Sequence, residues 1–244
     1  MNTGTRPISR SGAIWGGLAY VLAMVQYGLA QVISAAAWTT PYNWLTNEIS
    51  DLGNTACGQF SVHGPTSYVC SPLHAMMNAS FIISGLLVIA GTVLLWRLWP
   101  ESRMITAAKV LMILSGIGKV IVGLVPENTD TSLHILGATN IVVGNVAILL
   151  ISIAIRHYYP ALTRAGRLVS LLGITGSILF SVAQYAGSDL WLGAGGWERV
   201  AGYPSNLWLI AIGIISICTA GRGGLRRIAP ALSVHTSGTV PSHT

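Results

Sequence analysis

The chain is expected to fold as an all-α polytopic membrane protein with six transmembrane helices and both termini cytoplasmic. Three observations predict this class. Of 244 residues, 52% are hydrophobic and only 8% carry a charge, against roughly a quarter in soluble domains. The mean hydropathy is +0.64. Six apolar stretches each approach the ~20 residues needed to cross a bilayer. Lipid offers the backbone no hydrogen-bonding partner and the period-two alternation of a barrel strand is absent, so these stretches are read as helices.

The first span runs from Ile14 to Trp38. Arg6 and Arg10 before it and Ala35-Ala36-Ala37 near its end resemble a cleavable leader. Its apolar length of about 24 residues, however, exceeds the usual 7 to 15 of a signal peptide, which makes it an uncleaved anchor. The remaining spans are His74 to Leu98, Ile105 to Val125, His134 to Ile155, Leu168 to Gly187 and Tyr203 to Ala220. This gives a cytoplasmic segment over 1–13, a membrane domain over 14–220 with outward connections near 39–73, 126–133 and 188–202, and a disordered cytoplasmic tail over 221–244. His235 and His243 in the tail are assigned to no site.

Orientation follows from the basic residues. Eleven of thirteen Lys and Arg fall at one end of the spans: Arg6, Arg10, Arg97, Arg103, Lys109, Arg156, Arg164, Arg167, Arg222, Arg226 and Arg227. The positive-inside rule makes that end cytoplasmic, for a multi-pass protein of the cell membrane. Because the net charge of +6 is dispersed among loops and not gathered on one face, a nucleic-acid partner is not expected. Six of seven acids lie at the other end, with only Glu101 inside.

The unusual residues also collect outside. In Asn47-Glu48-Ile49-Ser50-Asp51-Leu52-Gly53 two acids stand three apart, which one helical turn would place on one side; the same residues could instead cap a short interfacial helix that Gly53 ends. Cys57 and Cys70 share this loop in an oxidising compartment and are expected to pair, whereas Cys218 is read as a buried small residue. His74, His134 and Tyr203 open the second, fourth and sixth spans, and three helix N-termini meeting there would favour an anion. Lys119 lies inside the third span between close-packing glycines. It is expected either to pair with Glu48, Asp51, Glu127 or Glu198, or to snorkel to the interface. Arg199, the one outward arginine, is expected to pair with a residue other than its neighbour Glu198; a contact to Glu48 or Asp51 would tie the loops together, and an interfacial belt with Trp197, Tyr203 and Trp208 is the alternative. Asn78, Asn140, Asn145, Gln26, Gln31 and Gln184 are amides in apolar helices and read as interhelical glue.

Taken together, Asn47 through Gly53, Ser71-Pro72-Leu73-His74 with Asn78, Gly123 through Pro126-Glu127, His134, and Glu198-Arg199 with Tyr203-Pro204 resemble the bacterial and archaeal membrane family called domain of unknown function 998. The resemblance runs from about Ile14 to Ala220 and implies a fold without an assigned activity. Ile49-Ser50-Asp51-Leu52-Gly53 is also similar, more distantly, to an Ile-Ser-Asp-Thr-Gly element of the six-helix DRAM and GPI-lipid-remodelling proteins, with Leu52 in place of threonine. That likeness implies a lipid-facing role for Ser50 and Asp51.

Three functions compete. The first is an outward polar pocket for a lipid head group or small solute, formed by Glu48, Ser50, Asp51, His74, Asn78, Lys119, Glu127, His134, Glu198, Arg199 and Tyr203. The second is a metal-dependent lipid hydrolase or transferase with zinc on His74 and His134. No HExxH motif occurs, and by analogy with three-histidine intramembrane hydrolases of the ceramidase and adiponectin-receptor type, His63 would be the third ligand. The third is a structural scaffold for a membrane partner. The sequence does not specify an oligomeric state, and the absence of a pair of interrupted spans argues against a transporter midplane.

Overall fold

A computed structural model describes residues 8–62, 66–186 and 190–221. His63, Asp189 and the tail beyond Gly221 lie outside the described residues, as does Arg6.

Among the described residues six helices are long and apolar enough to cross a membrane. Ser9 starts the first by accepting from the Gly12 N–H at 3.0 Å, and α1 runs Arg10–Ala36. Pro72 precedes α2, His74–Leu94. After Pro100, Ser102 caps α3, Arg103–Leu124, through the Ile105 N–H at 3.1 Å. Asp130 caps the next span through the Leu133 N–H at 3.0 Å. This span comes in two pieces, α4 (Thr131–Ala138) and α5 (Asn140–Ala154). Thr139 still donates to Ile135 and accepts from Val143, so the joint is a local distortion around the Asn140 amide, which takes the Gly137 carbonyl at 2.9 Å. Pro160, whose missing N–H costs nothing in a first turn, opens α6, Pro160–Ala186, and α7 spans Gly193–Gly221.

The helices run alternately up and down and close a ring: α1 packs on α2 and α7, α2 on α3, α3 on α4 and α5, α5 on α6, and α6 on α7. The ring has two ends. The terminal face carries the start of α1 and the end of α7; the loop face carries the long connection between α1 and α2. One apolar cluster built on Tyr20, Met112, Ile148, Trp208 and Ile212 fills the terminal half. Another, built on Tyr27, Tyr42, Ile49, Leu52, Met77 and Phe81, fills the loop half. Around the outside Leu22, Leu29, Leu86, Leu114, Leu171, Ile178 and Leu207 are exposed, as a belt against hydrocarbon requires.

Polar groups join neighbouring helices. Gln26 on α1 donates to the Ser80 carbonyl and the Ser84 hydroxyl of α2. Asn145 on α5 reaches the Ala201 carbonyl of α7 at 3.0 Å. Gly118 and Gly137 let α3 and α4 touch, since a Cβ on Gly118 would stand 2.7 Å from the Gly137 carbonyl oxygen.

The structure corrects several sequence boundaries. The fifth span starts at Pro160, not Leu168, and the sixth at Gly193, not Tyr203. The charged residues that suggested loops there sit on helical turns. The long connection is not free of secondary structure: strands β1 (Gly58–Phe60) and β2 (Ser67–Val69) form an antiparallel hairpin, with Gly58 opposite Val69 and Phe60 opposite Ser67. Cys57 and Cys70 are disulfide-bonded at its base. Cys218 is exposed on α7, not buried, because its helical position faces outward.

Candidate functional site

At the loop face the chain turns tightly after Asn43. Asp51 Oδ2 accepts from the Glu48 N–H at 2.9 Å and from Asn47 Nδ2 at 3.1 Å, and this folds Ser50–Gly53 into a 3₁₀ turn. Asn78 Nδ2, on the second turn of α2, donates to the Gly53 carbonyl at 2.8 Å. The Ser71 hydroxyl donates to the Leu52 carbonyl at 2.7 Å. The turn is thereby fixed to the entry of α2, and a Cβ on Gly53 would displace the Asn78 amide that holds it.

Carboxyl groups from separate elements converge on this turn. Glu127, fully buried after α3, accepts from Asn54 Nδ2 at 2.9 Å and shares a hydrogen bond with Asp51. Glu48 accepts from Gln184 of α6. Glu198, on the second turn of α7, accepts from the Ile49 N–H. Burial pushes the Glu48 and Glu127 carboxyls well above the ordinary carboxylate range. The charges of Glu198 and Asp51 raise Glu48 further, and those of Asp51 and Glu48 raise Glu127. Asp51 is also raised by burial, against the opposing effect of the hydrogen bonds it receives. A buried carboxyl kept neutral can donate as well as accept.

Ser50, at the head of the 3₁₀ turn, meets His134 on the first turn of α4: Ser50 Oγ and His134 Nε2 are 3.1 Å apart. The other ring nitrogen, Nδ1, lies 2.7 Å from the Val125 carbonyl oxygen. A carbonyl only accepts, so the proton belongs on Nδ1, and Nε2 presents its lone pair to the serine hydroxyl. Both side chains are buried.

Lys119 and Arg199 correct the sequence reading. Among the described residues Lys119 has neither an ion-pair nor a hydrogen-bond partner, and it does not snorkel; its amine stands 3.5 Å from the Tyr27 ring centroid. Its position on α3 turns it into the bundle, where the ring face supplies the electron density that a carboxylate would otherwise give. Arg199 does not reach Glu48 or Asp51. It donates to the carbonyls of Trp44 at 3.0 Å, Asn47 at 2.9 Å and Gly195 at 2.7 Å, and to the Tyr42 hydroxyl. Because it emerges from a helix and not a loop, its fork meets the backbone of the incoming connection. Tyr203 lies deeper in α7 and donates to Gln31 Oε1 at 2.8 Å.

Three cavities meet at these groups. One of about 210 Å³ lies over Glu48, Asp51, Glu127 and Gln184 beneath the hairpin. A second, of about 200 Å³, lies between α4–α5 and α6; its lining includes Glu48, Ser50, Glu127, His134 and Glu198 together with Ile135, Val142, Phe180 and Tyr185. A third, of about 60 Å³, continues inward from Ser50 and Glu198 to Lys119, Tyr203 and Asn206. The family model described as "Protein of unknown function (DUF998)" matches residues 12–215. The chain belongs to this family. No curated protein and no solved structure matches it. The DUF998 match contains every carboxyl of the cluster and the Ser50–His134 pair.

Of the residues singled out in the sequence of this DUF998 member, Glu48, Ser50, Asp51, Glu127, His134 and Glu198 come together. Lys119 and Tyr203 line the inner cavity. Asn78 and Arg199 hold the loop in place, and His74, half-buried with Nδ1 2.9 Å from the Ser71 carbonyl oxygen, lines none of the three cavities. Of the three expected helix N-termini, only His74 begins a helix; His134 stands on the first turn of α4 and Tyr203 within α7. Among the described residues no three His, Cys, Asp or Glu side chains stand in a metal-holding group. Gln184 and Asn54 had not been singled out as site residues; a polar side chain one turn from the loop-face end of α6 was the available signal for Gln184.

Proposed function

We propose that this DUF998 protein takes the head group of a membrane lipid into an outward-facing pocket at its loop face, with both termini cytoplasmic. The observation that carries the reading is the cavity between α4–α5 and α6. Its lining has a polar part, Glu48, Ser50, Glu127, His134 and Glu198, and an apolar part, Ile135, Val142, Phe180 and Tyr185, which α4–α5 and α6 both contribute. Val142, Ile135 and Tyr185 are exposed on the outside of the ring, so the apolar part continues onto the lipid-facing surface. An amphiphile satisfies both parts at once: its acyl chain lies along the apolar one while hydroxyl or phosphate groups reach the polar one. A freely soluble solute would leave the apolar part uncovered.

The chemistry of the polar part supports a head group rich in oxygen. Carboxyls held neutral by burial donate to phosphate or hydroxyl oxygens and accept from hydroxyls. Lys119 brings an amine for which the described residues supply no carboxylate partner, so an anionic group entering from the Ser50 side would favour its charged form.

The test is lipid retention by the full chain purified in mild detergent, read by native mass spectrometry after exchange into mixed micelles of anionic and zwitterionic phospholipid. Wild type is expected to keep one phospholipid. Val142→Trp with Ser181→Trp, which fills the lateral opening from outside, is expected to lose it at unchanged thermal midpoint. Equal retention by wild type and the double variant would sink the proposal.

A further inference from the structure

The lone pair of His134 Nε2 is aimed at a serine hydroxyl, and the opposite ring nitrogen is fixed by a backbone carbonyl. These are the two relations a serine nucleophile needs from its base: a hydrogen bond that can accept the hydroxyl proton, and a third group that sets tautomer and ring orientation. Val125 supplies that third group at 2.7 Å. The pair also stands where a substrate could reach it. Ser50 lines both the lateral cavity and the inner one, and His134 lines the lateral one.

A structural role for the same pair would need only that each polar atom be satisfied. It gives no reason for Ser50 to open onto two cavities, or for Lys119 to line the inner one without an ion-pair partner among the described residues. We propose that Ser50 and His134 are the nucleophile and base of an acyl-ester hydrolase acting on a lipid carboxylic ester, an inference that rests on the pocket reading above for its substrate.

The step balances with water as the co-reactant. Ser50 Oγ bonds to the acyl carbon while its proton passes to His134 Nε2; the carbon–oxygen bond to the lipid alcohol breaks, and the alcohol leaves with that proton. Water then gives a proton to His134 Nε2 and attacks the acyl-serine ester. The fatty acid departs as Ser50 recovers its proton. In its protonated form Lys119, which lines the same inner cavity as Ser50, is available to the oxyanion formed in each half, and the Val125 carbonyl holds the imidazolium through Nδ1–H.

The experiment uses an alkyl fluorophosphonate on the full chain in detergent, with the adduct located by peptide mass spectrometry. Ser50 Oγ would displace fluoride at phosphorus as its proton passes to His134. The expected result is a single adduct on Ser50, absent in Ser50→Ala and slowed at least tenfold in His134→Gln. His134→Gln is chosen because its amide can still bond Val125 or Ser50, and its thermal midpoint reports whether it is folded. An unlabelled Ser50 in folded wild type, or labelling unchanged by His134→Gln, overturns the inference. Lipid retention measured on the same samples separates the two readings. Phospholipid retained with Ser50 unlabelled removes the hydrolase and leaves the pocket. Ser50 labelled in wild type, with no phospholipid retained by Ser50→Ala, which cannot turn it over, keeps the nucleophile and removes the pocket.

Discussion

The Lys119 amine rests 3.5 Å from the centroid of the Tyr27 ring, joining α3 to α1 without a carboxylate. Removing one member of a buried ion pair strands the other and costs about 3–5 kcal/mol. Removing Lys119 strands no carboxylate among the described residues. Lys119→Met is therefore expected to leave the thermal midpoint in detergent unchanged or raised. Tyr27→Leu, which keeps the cation and removes its ring, is expected to lose about 1–3 kcal/mol. A destabilisation by Lys119→Met as large as that of a broken pair would show that the cation has an anionic partner.

The acidic cluster gives a sign to the pH dependence of stability. Burial raises the Glu48, Asp51 and Glu127 carboxyls in the fold, so across that window the folded chain binds more protons than the unfolded one. Their contribution is complete below the ordinary carboxylate values of about 4 and is lost as pH climbs toward the raised ones. The thermal midpoint should fall as pH rises above the ordinary carboxylate range by this linkage. Glu127→Gln should flatten the fall, because its amide replaces the carboxyl proton toward Asp51 and its oxygen still accepts from Asn54. A midpoint that rises over the same interval would contradict the assignment.

Arg199 secures the incoming connection to α7 by donating to two of its carbonyls, Trp44 and Asn47, and to the Tyr42 phenol, and its guanidinium lies over the Trp44 ring, 4.9 Å from the centroid. Lysine offers a point charge and no planar fork. Arg199→Lys is expected to cost about 2–4 kcal/mol and to speed amide hydrogen exchange between residues 42 and 53 while α2 and α3 stay protected. Uniform loss of protection across the helices would instead mean that Arg199 holds the whole bundle.

Six spans were legible because hydrocarbon imposes one requirement on every helix: length with apolarity. The same criterion misplaced the starts of α6 and α7. Arg164 and Arg167 look like loop residues until they are seen on a helix that runs on past the terminal face, and Glu198 and Arg199 look exposed until the 43–54 connection covers them. That covering is a contact across about 150 residues of chain, the separation between Ile49 and Glu198, and no local pattern encodes it. Ser50, Asp51 and His134 were visible as residue types, but their convergence depends on where the 3₁₀ turn docks. Lys119 was conspicuous in the sequence; its aromatic partner was not, since Tyr27 looks like any apolar residue of α1.

Orientation is the last expectation open to direct measurement. Seven basic residues, Arg10, Arg97, Arg103, Lys109, Arg156, Arg164 and Arg167, gather at or near the terminal face among the described residues, and the Cys57–Cys70 disulfide sits at the other. Both the positive-inside rule and the redox environment that a disulfide needs predict that the loop face lies outside. In a Cys218→Ser background, Ser132→Cys, exposed on the first turn of α4, should react with a membrane-impermeant maleimide in intact cells. His157→Cys, exposed at the terminal face, should react only after permeabilisation. The disulfide gives an independent reading: it closes a sequence separation of 13, for which loop-closure arguments give about 3 kcal/mol, so a reductant in solution should lower the midpoint of purified protein. The reverse labelling pattern would place the carboxyl cluster on the cytoplasmic side, where the disulfide would be reduced and the lateral cavity would open to the inner leaflet.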